Sequence, residues 1–314
     1  MKSLHRIPNE KMKGYSLSVI GCISWAFSGI CGEVLMNAGI PPRLIVSVRL
    51  LLSGVVLLFI SSFQSNDAVN LLKNKKDLLR VLAFGLGGVF TSQFGYIHAI
   101  YYTNAPTATI LQFLSSAMLV AVVCLLEKRL PKFIEVSAVI LAIFGITVLT
   151  THLNLHTLII DPSGLFWGFF SAFGVVGYVM LPSQLFLSYN KLSVIGLAML
   201  LAGLLSLPIL RPWKLSFTTT PSLLPAWIGI VLIGTIVAYT FFIIGAAILG
   251  PTTSGLISGL EAVASVLFSV LLLGASFHPL DLAGMGLVLV SILLLSLRDR
   301  PPYRFKRPRR YKSS

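Results

Sequence analysis

Two stretches of this chain read as one design written twice. Gly234 to Gly274 runs GTIVAYTFFIIGAAILGPTTSGLISGLEAVASVLFSVLLLG, two apolar runs that meet at Gly250-Pro251. Gly88 to Leu126 runs GVFTSQFGYIHAIYYTNAPTATILQFLSSAMLVAVVCLL, with its turn at Ala105-Pro106. The correspondence extends outward. Gly21, Ser24, Leu79, Pro106, Thr107 and Glu135 match Gly168, Ser171, Leu224, Pro251, Thr252 and Asp281, at a spacing that stays near 145–147. A chain duplicated in this way has to fold as two copies of one unit packed together.

The medium in which the copies fold follows from composition. The chain is 56% hydrophobic and only 11% charged, where a soluble domain carries about 25% charged residues. No water-soluble packing hides that much apolar surface. The apolar runs are long enough to cross roughly 30 Å of hydrocarbon as helices. Ten spans are expected, near 14–36, 44–63, 78–98, 105–126, 133–151, 164–186, 192–210, 223–244, 252–273 and 280–297. The runs are continuous rather than alternating, which fits helices and not a barrel, and lipid offers exposed backbone groups no other partner. The first run, Tyr15–Leu35, is too long for a signal-peptide core and lacks a clear cleavage site. The expected organisation is a polar lead over 1–13, a five-helix repeat over 14–151, a connector over 152–163, a second five-helix repeat over 164–297, and a basic tail over 298–314.

The net charge of +14 is placed between the runs and in the tails. That is membrane topology rather than a nucleic-acid surface. With the first residues in the cytoplasm, twenty Lys and Arg fall on the inner side; Arg43, Arg211 and Lys214 fall outside, and Arg49 lies within a span. The positive-inside rule then puts both termini in the cytoplasm of a multi-pass membrane protein. Five spans per copy is an odd number, so the second copy must enter from the opposite face. The expected fold class is therefore an all-α membrane protein of ten helices in two inverted five-helix repeats, with any solute site between them near the midplane.

Glu261 is the most informative single residue. A charge at the bilayer centre costs about 2.5–3.5 kcal/mol on insertion scales, so it should face a cavity or a partner. It reads as a site for a cationic group or a proton, or as a packing carboxylate held by a neighbour. Arg49 fits two readings: it snorkels or caps a helix end, or it pairs with Glu33 or a substrate carboxylate. Gln93, Tyr96 and Gln112 in spans three and four, and Tyr239 in span eight, could face a polar solute or bond between helices. Trp25 and Trp167 could line a cavity or pack the core. Tyr101 and Tyr102 read as interface anchors. Pro106 and Pro251 suit first helical turns. Gly164-x-x-x-Gly168 and Gly255-x-x-x-Gly259 suit close helix contact inside the bundle.

Cys22, Cys31 and Cys124 sit inside apolar runs without paired spacing. His152 and His156 lack a third metal ligand. No nucleotide-binding loop, zinc-protease motif or serine elbow occurs, so neither an enzyme nor a resident cofactor or metal is expected.

The order of four segments, ISWAFSGICGE at Ile23–Glu33, VSVRLLLSG at Val46–Gly54, NAPTATILQFLSS at Asn104–Ser116 and LEAVASVLFSVLLLG at Leu260–Gly274, resembles the drug/metabolite transporter superfamily, in its ten-helix EamA-type branch. The resemblance spans about residues 14–297. Where that family usually has Glu-Pro, this chain has Glu261-Ala262, and Ser116 stands at the first-half proline position. The family's Gly-Glu closing spans four and nine is Gly274-Ala275 here, and Glu127-Lys128-Arg129 in the first half. The resemblance implies a cytoplasmic-membrane carrier that exports small metabolites such as amino acids.

The expected function is a secondary transporter of a small polar metabolite, an exporter working by alternating access with proton coupling through Glu261. The expected partners are that solute and membrane lipid, with no nucleic acid, and the chain acts as a monomer or homodimer. The alternative is a passive channel, for which a continuous ring of like residues would be required.

Overall fold

The computed structural model describes residues 6–154, 159–218, 220–249 and 257–296. Every regular element among these residues is helical. In chain order they are α1 (Arg6–Asn37), α2 (Pro42–Ser62), a short helix Asp67–Lys73, α3 (Lys75–Tyr102), α4 (Ala105–Leu126), α5 (Phe133–Thr151), α6 (Pro162–Met180), a single turn Leu185–Ser188, α7 (Lys191–Leu210), α8 (Pro221–Ala246), α9 (Leu260–Leu273) and α10 (Pro279–Ser296). Among the described residues eight helices are long and apolar enough to cross a membrane; Leu260–Leu273 and Pro279–Leu295 are apolar but shorter.

Several boundaries differ from the sequence reading. The first helix begins at Arg6, so residues 6–13 extend α1 instead of forming a separate lead. The third begins at Lys75 because Asn74 caps it: its Oδ1 accepts from the N–H of Lys76 at 3.1 Å and of Asp77 at 3.4 Å. The sixth stops at Met180, short of 186, and turns over residues 181–184. Pro106 lies in the first turn of α4, behind the Asn104 cap that accepts from Thr107 N–H at 2.9 Å. Pro251, Thr252, Gly255, His156 and the tail over 298–314 lie outside the described residues.

The helices pair across the two halves. α1 runs along α8, α3 along α6, α2 along α7 and α5 along α10, while α4 touches α9. Glycine allows the closest of these approaches. A Cβ on Gly174 would lie 2.3 Å from the Ser92 backbone nitrogen, and one on Gly95 2.6 Å from that of Ser171, so α3 and α6 meet backbone to backbone. Gly164 and Gly168 face Thr103 and Leu111, which is packing within the chain.

Irregularities recur at matched places. α4 is interrupted at Phe113, and a turn at Gly259 precedes α9. α3 widens into π-type turns over Gly85–Phe90, and α8 does so over Gly229–Val237. Widened turns shift the backbone ladder and free carbonyls for other donors. Thr91 Oγ1 donates to the Leu86 carbonyl at 2.8 Å, and Thr235 Oγ1 to that of Ile230 at 3.1 Å.

The fifth helix of each half opens with the same cap. Lys132 N–H donates to Glu135 Oε2 at 2.7 Å, and His278 N–H to Asp281 Oδ2 at 2.9 Å. Their other partners differ. Glu135 is gripped by Arg129 through bonds of 2.8 and 2.9 Å. Asp281 instead meets His152 Nε2 at 2.6 Å, beyond the far end of α5.

Candidate functional site

The helix interruptions at Phe113 and Gly259 flank a cavity of about 290 Å³. α1 contributes Trp25, α2 Arg49, α3 Gln93 and Tyr96, α4 Gln112, α6 Tyr178, α8 Tyr239 and Phe242, and α9 Glu261. Both charged linings sit among apolar helices, so their environment decides what the cavity can hold.

Arg49 does not snorkel. It is 4% exposed. Its Nε donates to Thr235 Oγ1 at 3.2 Å and its Nη2 to the Gly234 carbonyl at 3.4 Å, both within the widened turns of α8. Its Nη1 is buried and has no hydrogen-bond partner among the described residues. A buried donor left unmade costs about 1–3 kcal/mol, more on a charged group, so this nitrogen is primed for an acceptor.

Glu261 is half-buried in the first turn of α9. Among the described residues its carboxylate makes neither a hydrogen bond nor an ion pair, including with Arg49. The cavity thus carries one cation and one carboxylate, each with capacity to spare.

The neutral polar groups are mostly satisfied by one another. Gln93 Nε2 donates to Tyr239 OH at 3.2 Å. The Tyr96 and Thr109 hydroxyls lie 3.0 Å apart. Gln112 Nε2 donates to Ser171 Oγ at 2.6 Å, and that hydroxyl donates on to the Ser92 carbonyl at 2.9 Å. Trp25 stands edge-on to Tyr239 at 5.1 Å and lies 4.9 Å from Phe242. These bonds fix the wall, which the rings of Trp25, Tyr96 and Tyr239 also line.

Seven of the residues singled out from sequence meet here: Glu261, Arg49, Gln93, Tyr96, Gln112, Tyr239 and Trp25. Glu33 does not. Its Oε2 accepts from the Ala105 N–H at 2.8 Å, capping the start of α4, and it lines neither the cavity nor Arg49. A carboxylate at a helix N-terminus is satisfied by free N–H groups and the helix dipole, which sequence spacing does not reveal. Trp167 packs on Phe94 and His98 away from the cavity. Tyr101 and Tyr102 are exposed, as interface anchors would be.

Tyr178, Thr235, Ser115 and Phe242 were missed by the sequence reading. The signal was the duplication itself. Gln93 and Tyr239 are 146 residues apart and bonded. At that same offset stand Tyr96 and Phe242, Gln112 and Ser258, and Ser115 and Glu261, all lining the cavity. Four pairs of the lining, eight of its 18 residues, thus exchange when the halves are exchanged; Trp25, Arg49 and Tyr178 are among those without a counterpart in the cavity.

Among the described residues no group of three or more His, Cys, Asp or Glu could hold a metal ion. The three cysteines are buried, and none of them forms a disulfide among the described residues.

The comparisons with known proteins agree with this architecture. The model of the EamA-like transporter family matches twice, over residues 12–151 and 162–297. A protein of Salmonella typhimurium described as the uncharacterized inner membrane transporter YicL is 34% identical over 289 residues, which is 92% of this chain and 96% of that protein. A solved crystal structure superposes with a TM-score of 0.61 over 90% of this chain and 96% of its own, at 18% identity, which establishes a shared fold. Matched in both halves and along nearly the whole length of a transporter relative, the chain belongs to the EamA-like transporter family and is a multi-pass membrane transporter.

Proposed function

We propose that this chain is a secondary transporter that exports a small metabolite carrying both charges, an amino acid or a close relative, by alternating access. The observation that carries the reading is that one cavity holds both Arg49 Nη1 and the Glu261 carboxylate, neither of which has a hydrogen-bond partner among the described residues. A substrate carboxylate suits the first; a substrate ammonium, or a proton, suits the second. The aromatic faces of Trp25, Tyr96 and Tyr239 add cation–π attraction and apolar contact. At about 290 Å³ the cavity sits at the lower end of the roughly 300–1,000 Å³ usual for ligand sites, which favours a small solute.

Two five-span repeats of opposite sense are part of the same reading. The connection between α6 and α7 corresponds, by the repeat, to that between α1 and α2. Yet Asn190 in it donates from its backbone N–H to Asp67 at 2.6 Å, and Tyr189 OH donates to Asp77 at 2.9 Å. Those partners lie in the connection between α2 and α3 and at the start of α3, at the other end of α2. Likewise Asp281 meets the far end of α5, whereas its counterpart Glu135 lies at the near end. Equivalent points at opposite ends of the bundle support an inverted pair, and such a pair can open to either face at similar energy.

The test is counterflow in proteoliposomes with a panel of amino acids and related amphoteric metabolites. A carrier accelerates uptake when unlabelled solute waits on the far side; a channel does not. Wild type should show counterflow for at least one zwitterion, and Arg49→Gln should abolish it. Under an imposed pH gradient, Glu261→Gln should lose the gradient dependence that wild type shows. Equal gradient dependence in both proteins would remove Glu261 from any coupling role, and uptake indifferent to solute on the far side would favour the channel.

A further inference from the structure

A second cavity lies on the flank of the bundle, separate from the Arg49 site and lined by other residues of α4. It is a groove of about 760 Å³ between the later turns of α4 and the first turns of α5. Ala117, Val120 and Ala121 form one wall, and Val136, Val139 and Ile140 the other. The alanines, one helical turn apart, take bulk out of α4. At the 146-residue offset the second half carries Val263 and Leu267 instead. An apolar groove at hydrocarbon depth stays dry, so what fills it in a bilayer is an acyl chain.

The mouth of the groove is basic. Lys128 and Arg129 line it and Lys132 follows in the same connection. Arg129 is already committed, bonded to Glu127 at 2.6 Å and to Glu135 at 2.8 and 2.9 Å. Lys128 and Lys132 are exposed and take part in no ion pair among the described residues. Lys128 also holds a left-handed backbone, with φ 49°; its counterpart at the same offset is Gly274, with φ 65°. Glycine adopts that conformation without steric cost and lysine does not. The first half therefore keeps a strained cation where the second half uses the residue the backbone prefers.

We propose that this groove is a binding site for an anionic phospholipid, with one acyl chain between α4 and α5 and the phosphate held by Lys128 and Lys132. Phospholipid headgroups of negative charge gain from each lysine near the membrane surface, and the chain supplies the apolar burial. Nothing in this site depends on the transport reading of the central cavity.

Native mass spectrometry of the full chain, stripped of lipid in detergent, tests the proposal with phosphatidylglycerol and phosphatidylcholine of matched acyl chains. Wild type should retain the anionic lipid about five-fold better for each lysine engaged. Lys128→Gln with Lys132→Gln should erase that preference and leave phosphatidylcholine retention unchanged. Ala121→Leu should lower retention of both lipids. Lys128→Gly, which relieves the backbone strain, should raise the melting temperature while weakening the anionic preference, so a folding defect is not mistaken for lost binding. Inorganic phosphate should not displace the lipid. Equal retention of the two lipids by wild type, a preference that survives the double lysine substitution, or displacement by free phosphate would overturn the proposal.

Discussion

Arg49 illustrates how one side chain ties structure to transport. It is buried, it reaches from α2 to α8, and among the described residues Thr235 is the only side chain that accepts from it. Replacing Thr235 with Val removes that acceptor while keeping the shape. The guanidinium then has only the Gly234 carbonyl, and the chain should lose about 1–3 kcal/mol of stability, read as a lower midpoint in thermal unfolding of the purified protein. A midpoint unchanged by the substitution would mean that solvent in the cavity replaces the hydroxyl. The sequence made Arg49 and Glu261 conspicuous because intramembrane charge is rare and costly. It did not disclose the partner of Arg49, since Thr235 looks like any other hydroxyl in an apolar run. It also made Glu33 look equivalent to them, although Glu33 serves the start of α4.

At the scale of helices, packing depends on places where a side chain cannot be added. Gly174 on α6 lies against the backbone of Ser92 on α3, where a Cβ would sit 2.3 Å from nitrogen. Gly174→Val should push these helices apart and cost about 1–3 kcal/mol or more, as overpacking does. Gly286 on α10 has open space around its missing Cβ, and Gly286→Ala should be neutral or gain up to about 1 kcal/mol of helix propensity. Thermal unfolding of the two variants side by side checks the contrast; equal effects would mean that helix propensity outweighs packing at both sites. Apolar runs made the helices legible, with boundaries a few residues out. The interruptions at Phe113 and Gly259 were not legible. The family's proline is absent at the matched positions, where Ser116 and Ala262 stand, yet the chain breaks there all the same. Proline is thus one way to interrupt these helices, and the packing around the cavity is another.

For the whole molecule, the duplication carried most of what could be known in advance. A spacing near 146 predicted two like halves, and the paired helices, the matched interruptions and four pairs of cavity residues follow it. Its limit is instructive. A repeat says which residues are equivalent, but not which equivalents touch, because that depends on where the axis between the halves passes. Gln93 and Tyr239 touch; Glu135 and Asp281 are equivalent yet have different partners. The account rests on halves of opposite sense around the Arg49 and Glu261 cavity. Reporter fusions truncated after Gln64 and after Leu210, equivalent points that follow the second helix of each half, measure that sense directly. The account predicts activities that place Gln64 and Leu210 on opposite faces of the membrane, and reporters on the same face would contradict it.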